Sequence, residues 1–166
     1  MPFLIDDHSS TPDEIRARAI LHQAHHGLDF VVVDYIQRLS SPAHEKNRVQ
    51  EVGKVSSALK SLALDLKVPV VAISSLSRNC EARHDKRPIL SDLRESGDLE
   101  YDADLVLFIY RDEIYNAETE FPNIAEIEIA KHRMGPTGKV MLYFKKELTE
   151  FKSLEVHTTP LEDWVK

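Results

Sequence analysis

Residues 30–37 read FVVVDYIQ, an apolar run broken by a single acid, Asp34. A carboxylate delivered at a strand tip can orient water on Mg²⁺ bound to a nucleoside triphosphate. Two more apolar runs end on polar pairs, VVAI on Ser74-Ser75 and LVLFIY on Arg111-Asp112. Ligands of open parallel sheets gather beyond the carboxyl ends of the strands, so these tips form one candidate site. The same pattern also arises where an Asp merely caps the next turn, and the residues alone leave both readings open. KHR (131–133) ends an alternating stretch and puts Lys131 and Arg133 on one face. Two adjacent cations need an anion or solvent.

Other groups are weaker candidates. SRNCEARHDKRP (77–88) is basic and SDLRESGDLE (91–100) follows it. Arg78, Arg83, Lys86, Arg87 and Arg94 could meet phosphates, helped by main-chain N–H groups near Gly97. The simpler reading is a solvated loop before a strand. His22, His25 and His26 have helical spacing that suits a metal, but no fourth ligand is evident. A solvated helix end, where histidines favour the negative pole, is the plainer account. A phosphate cradle of the form GxxxxGK[ST] is missing: none of the five glycines sits in that pattern, and Gly138-Lys139 opens a strand.

These residues need elements to position them. Phe3–Ile5 is a candidate short strand. Thr11, Pro12 and Glu14 form a capping box with its proline, so a helix starts there and stops at Gly27. FVVVDY follows as a strand buried on both faces, since it shows no alternation. Apolar residues at Val49, Val52, Val55, Leu59, Leu62 and Leu66 mark an amphipathic helix over 45–66, ended before Pro69. VPVVAIS (68–74) is a second buried strand, which makes a crossover unit of a parallel sheet. ADLVLFIYR (103–111) reads as a third. IAEIEIAKHR (124–133) alternates, GPTG (135–138) turns, KVMLYFKK (139–146) returns, and Phe151–Val156 can pair with it. The fold class is therefore α/β: a mostly parallel sheet with a C-terminal antiparallel meander. No linker or repeat interrupts residues 1–166, so they read as a single domain.

The chain has 166 residues, 42% hydrophobic and 30% charged, enough for one cored domain and unlike a disordered chain. No apolar stretch approaches the roughly 20 residues of a membrane span, and the N-terminus lacks a secretion signal, so no membrane partner is expected. One cysteine, Cys80, excludes an internal disulfide framework and suits an intracellular protein. A net charge of −7 argues against nonspecific coating of nucleic acid, although a local loop can still be basic.

Taken in order, VVVDYIQ, VPVVAIS, KRPILSDLRESGDLEYDADLVLFIYRDE and IAKHRMGPTGKV resemble the replicative hexameric DNA helicases of the DnaB type. The match covers nearly the whole chain, and IDDHSSTPDEIRARA looks like the segment just upstream of the Walker B strand. The resemblance implies a RecA-like P-loop NTPase core, ATP and Mg²⁺ as cofactors, 5′–3′ unwinding at the replication fork, and a cytoplasmic, nucleoid-associated location in a bacterium or phage. It implies single-stranded DNA and other helicase subunits as partners. By resemblance, Asp34 is the Walker B aspartate holding Mg²⁺ through water. Lys131 and Arg133 are the pair reaching the γ-phosphate on the neighbouring subunit, with Arg133 the arginine finger. Arg94, Glu95 and Gly97 belong to the loop on the DNA backbone, and Arg78 is a further candidate DNA-binding residue from the basic stretch itself.

Ser75 stands where the family usually has a γ-phosphate-sensing Gln, and it is too short for the same task. Walker A, the catalytic Glu and the N-terminal collar lie upstream in the family. This chain is therefore expected not to hydrolyse ATP alone. Loss of the P-loop strand, internal to such sheets, leaves edges that can self-associate. Two other readings remain: a non-catalytic module binding DNA or helicase subunits, and an oligomeric remnant without a ligand.

Overall fold

The computed structural model describes residues 3–41, 48–93 and 97–154, and the chain divides into two compact units, 1–104 and 105–166. The first unit holds helix α1 (Pro12–His26), strand β1 (Val31–Val33), helix α2 (Arg48–Leu66), strand β2 (Val70–Ala72) and the short helix α3 (Gly97–Asp102). Helix α1 begins as the sequence predicts. The Glu14 N–H donates to Thr11 Oγ1 at 3.3 Å, and Glu14 Oε2 accepts from the Thr11 N–H at 3.2 Å. It ends at Gly27, whose φ of +77° is open to glycine.

Strands β1 and β2 run parallel, with Val31, Val32 and Val33 opposite Val70, Val71 and Ala72. Helix α2 makes the crossover between them and buries Val52, Val55, Leu59 and Leu62 against Val33, Ile36, Leu39 and Ala19. Gln23 of α1 donates from Nε2 to the Leu66 carbonyl at 3.0 Å, and Arg16 meets Asp65 at 2.6 Å. These contacts lash α1 to the end of α2.

The expectation of strands buried on both faces fails here. Val32 is 51% exposed and Val71 52% exposed, because the helical core covers only the Val31 and Val33 side of the sheet. The candidate strand at Phe3–Ile5 also fails: these residues are exposed coil. Just beyond them the Asp6 carboxylate accepts from the N–H groups of His8 (3.0 Å) and Ser9 (3.1 Å). That local turn competes with extension.

The second unit is a meander of β3 (Leu105–Tyr110), β4 (Ile124–His132), β5 (Gly138–Lys145) and β6 (Glu150–Ser153). Its order is β3-β4-β5-β6, every pair antiparallel. The run 103–111, read as a third strand of the parallel sheet, thus pairs with the meander instead. Its burial alternates: Val106, Phe108 and Tyr110 are inside, while Leu105, Leu107 and Ile109 are exposed. Predicted residues 45–47 of α2 and 155–156 of β6 lie outside the described residues.

Candidate nucleotide and nucleic-acid site

Asp34 follows β1 directly and is exposed, and its peptide bond to Tyr35 is cis. The two strand tips continue to pair past the regular sheet: the Ile73 N–H donates to the Val33 carbonyl at 2.9 Å, and the Ile36 N–H to the Ile73 carbonyl at 3.0 Å. Ser75 is thereby held beside the segment that carries Asp34. Gln37 completes the connection. Its Oε1 accepts from the Ser75 N–H at 3.2 Å, while its Nε2 donates to Ser74 Oγ at 2.9 Å. Both hydrogen-bonding functions of one carboxamide are spent on the β2 tip. Sequence reasoning gave Gln37 no task; the available signal was a lone amide three residues past Asp34. Among the described residues no group of three or more His, Cys, Asp or Glu could hold a metal ion. His22 and His26 lie with ring centroids 5.0 Å apart on α1, as a helix-end pair.

The basic stretch is less available than its composition suggests. Arg83 is committed to Asp92 through both terminal nitrogens, each at 2.7 Å, and Nη2 also donates to the Arg87 carbonyl at 2.7 Å. Asp92 is buried, and its Oδ2 also accepts from the Ile89 N–H at 2.8 Å. Arg83 holds the Asp92 carboxyl below the usual carboxylate range, against the opposing push of burial. Arg83 is therefore a structural partner, not a free phosphate contact, and Arg87 lies 3.3 Å from Asp85. Arg78 is exposed on a one-turn 3₁₀ helix, Arg78–Ala82. Gly97 opens α3, whereas Arg94 and Glu95 lie outside the described residues. Cys80 is buried, with Sγ 3.1 Å from the Ser77 carbonyl.

Arg111, at the third predicted tip, is also occupied. Its guanidinium lies 4.0 Å above the Phe144 ring, and its Nε donates to Glu113 Oε1 at 3.1 Å. Glu113 further meets Lys146 Nζ at 2.7 Å and the Asn123 N–H at 3.1 Å. Led by Lys146, these partners pull its carboxyl down to about 2, overcoming the upward push of burial.

Lys131 and Arg133 sit at the far end of β4. The β3–β4 register pairs Val106 with Lys131 but Leu107 with Ile129, leaving Ala130 as the extra residue of a bulge. That bulge moves Lys131 from the face of Ile127 and Ile129 to the face of Glu126 and Glu128. Buried Glu126 there meets Lys139 Nζ at 2.6 Å. Arg133 falls just beyond β4, in the turn, so the predicted shared strand face does not hold: alternation governs Lys131 only through the bulge. The turn is tight, because a Cβ on Gly135 would come within 2.5 Å of the His132 ring.

A family model described as the DnaB-like helicase C terminal domain matches residues 1–153. The chain belongs to that family. It is 48% identical over 153 residues to the replicative DNA helicase DnaB of Haemophilus influenzae, covering 92% of this chain and 33% of the relative. It is also 48% identical over 154 residues to the DnaB of Geobacillus stearothermophilus, covering 92% and 34%. The chain thus spans about a third of the length of the curated relatives it matches. Among solved structures it resembles a DnaB-like replicative helicase characterised with primase, at TM-score 0.85 and 44% identity over 91% of this chain and 36% of that one. A solved ATPase domain matches at TM-score 0.84 and 44% identity, covering 88% of this chain and 52% of that one. These matches bear out the RecA-like, DnaB-type reading of the sequence.

Proposed function

We propose that this chain forms the C-terminal part of the ATPase domain of an ATP-dependent replicative DNA helicase, cytoplasmic and acting at the replication fork on single-stranded DNA within a ring of like subunits. The observation that carries the reading is the family match over residues 1–153, joined to close structural likeness with an ATPase domain of which the chain covers 52%. On this reading both compact units belong to one domain. Residues 1–166 then lack the phosphate-cradling loop, and the chain alone does not turn over ATP.

Asp34 fits Mg²⁺ as a single, hard, exposed carboxylate. A cation held by one protein carboxylate keeps its waters and takes its other ligands from phosphates, as Mg²⁺ does. When bound, Mg²⁺–ATP supplies charge neutralisation at the β- and γ-phosphates. This chain's residues then do the rest. Asp34 would hold the hydrated ion, and Gln37 fixes the Ser75 tip beside it. Lys131 and Arg133 reach the γ-phosphate of a neighbouring subunit, while Arg78, Arg94, Glu95 and Gly97 follow the DNA backbone. Sequence-tolerant binding follows from contacts to the backbone alone.

The test is reconstitution. Co-expression of this chain with the preceding, Walker A-bearing ATPase segment of a matched relative is expected to restore Mg²⁺-dependent ATP hydrolysis. A stable reconstituted complex with no hydrolysis above either part alone overturns the reading.

A further inference from the structure

We propose that Asp92 and Arg83 are positioning residues for a nucleic-acid-backbone contact made by Arg78, and do not touch the nucleic acid themselves. The inference deepens the DNA reading above and rests on it. Residues 77–92 form a loop whose two ends close on a single buried residue. At one end the Ser77 N–H donates to the Asp92 carbonyl at 3.0 Å. Six residues on, Arg83 grips the Asp92 carboxylate with both terminal nitrogens at 2.7 Å. Between these anchors lies the short helix Arg78–Ala82. The Asn79 N–H donates to Ser77 Oγ at 3.4 Å at its start, and the Arg83 N–H donates to the Cys80 carbonyl at 3.3 Å at its end. Buried Cys80 packs the inner side of this turn, and exposed Arg78 stands on the outer side.

A planar fork on a carboxylate fixes direction as well as distance. Asp92 therefore sets both the position and the rotation of the helix that displays Arg78. Four of the five Arg83 N–H donors are engaged within the loop: Nη1 and Nη2 serve Asp92, Nη2 also serves the Arg87 carbonyl, and Nε serves the Asp85 carbonyl, so the guanidinium is committed to the fold. The ligand chemistry that suits an exposed guanidinium displayed from an anchored turn is a phosphodiester oxygen.

The experiment is a double-mutant cycle on the full chain with a fluorescent oligothymidylate, read by anisotropy across a series of salt concentrations. Each phosphate contact contributes about 0.7 to the slope of log affinity against log salt for a single strand. Arg78→Ala is expected to weaken binding and flatten the slope by about 0.7. Arg83→Ala is expected to do the same, and the Arg78→Ala, Arg83→Ala double variant to go no further. Arg83→Lys, which keeps charge but loses the fork, is expected to match Arg83→Ala. Unchanged thermal melting of the Lys variant separates mispositioning from unfolding. Slope losses that add to about 1.4 in the double variant, or full affinity in Arg83→Lys, overturn the inference while leaving the DNA reading standing. No binding by the unsubstituted chain overturns both.

Discussion

The cluster around Glu113 carries the sharpest stability prediction. Its carboxylate accepts from Arg111, Lys146 and the Asn123 N–H, and its folded value falls from 4.5 to about 2. A depressed carboxylate contributes stability that is fully present above its unfolded value and lost as pH falls through its folded value. The window is therefore about pH 4.5 down to about 2. At about 1.4 kcal/mol per pH unit the gap sets an upper bound of about 3 kcal/mol. The Lys146 side chain is 51% exposed, so solvent screens part of this, and about 2 kcal/mol is the working figure. Urea unfolding of the chain and of Glu113→Gln, at pH 7 and at pH 3, measures it. The variant is expected to be less stable by about 2 kcal/mol at pH 7 and to close most of that difference by pH 3. A difference that stays constant over that range would refute the electrostatic origin and leave only lost packing.

Leu62 is fully buried in the α2 core, and Leu62→Ala is expected to cost about 2–5 kcal/mol in urea unfolding. Gln37→Ala removes both bonds to the β2 tip, and hydrogen exchange at the Ser75 amide is expected to accelerate about ten-fold, in line with roughly 1–2 kcal/mol of lost bonding. With Arg133 in its proposed role as an arginine finger, Arg133→Ala in the reconstituted ATPase is expected to lower kcat by about 10³-fold or more with little change in KM, because such a finger acts on transition-state charge.

Much of this was legible in the residues because the signals were local. The capping box at Thr11 and the stop at Gly27 are set by backbone groups within one turn of helix, and both appear as read. The spacing of Val52, Val55, Leu59 and Leu62 reports one helical face, and that face is the core. Apolar runs misled where burial depends on distant chain. Val32 and Val71 carry the hydrophobicity of doubly covered strands, yet only one side of their sheet is covered among the described residues. The same holds for Leu105, Leu107 and Ile109. Hydrophobicity states what a strand requires, and a strand-by-strand reading cannot state which segment supplies it.

The candidate site was legible as residue types but not as geometry. Asp34 and Ser75 lie on neighbouring strand tips, which follows from two parallel strands and their crossover helix. The clamp between the tips does not follow, since nothing in VVVDYIQ says that the Gln37 amide turns toward β2 rather than solvent. Charge counting failed for a related reason. Arg78 and Arg83 are equivalent in composition, but one is exposed and the other is consumed by a buried carboxylate nine residues away. The bulge at Ala130 is the clearest case. Alternation predicts that Lys131 follows Ile127 and Ile129, and a single unpaired residue reverses that. Small, unbranched Ala130 offers no side-chain signal for it. The bulge is fixed by the register against β3, where Val106 pairs with Lys131, 25 residues on, and Leu107 with Ile129, 22 residues on, and only the paired strands reveal which face the lysine takes.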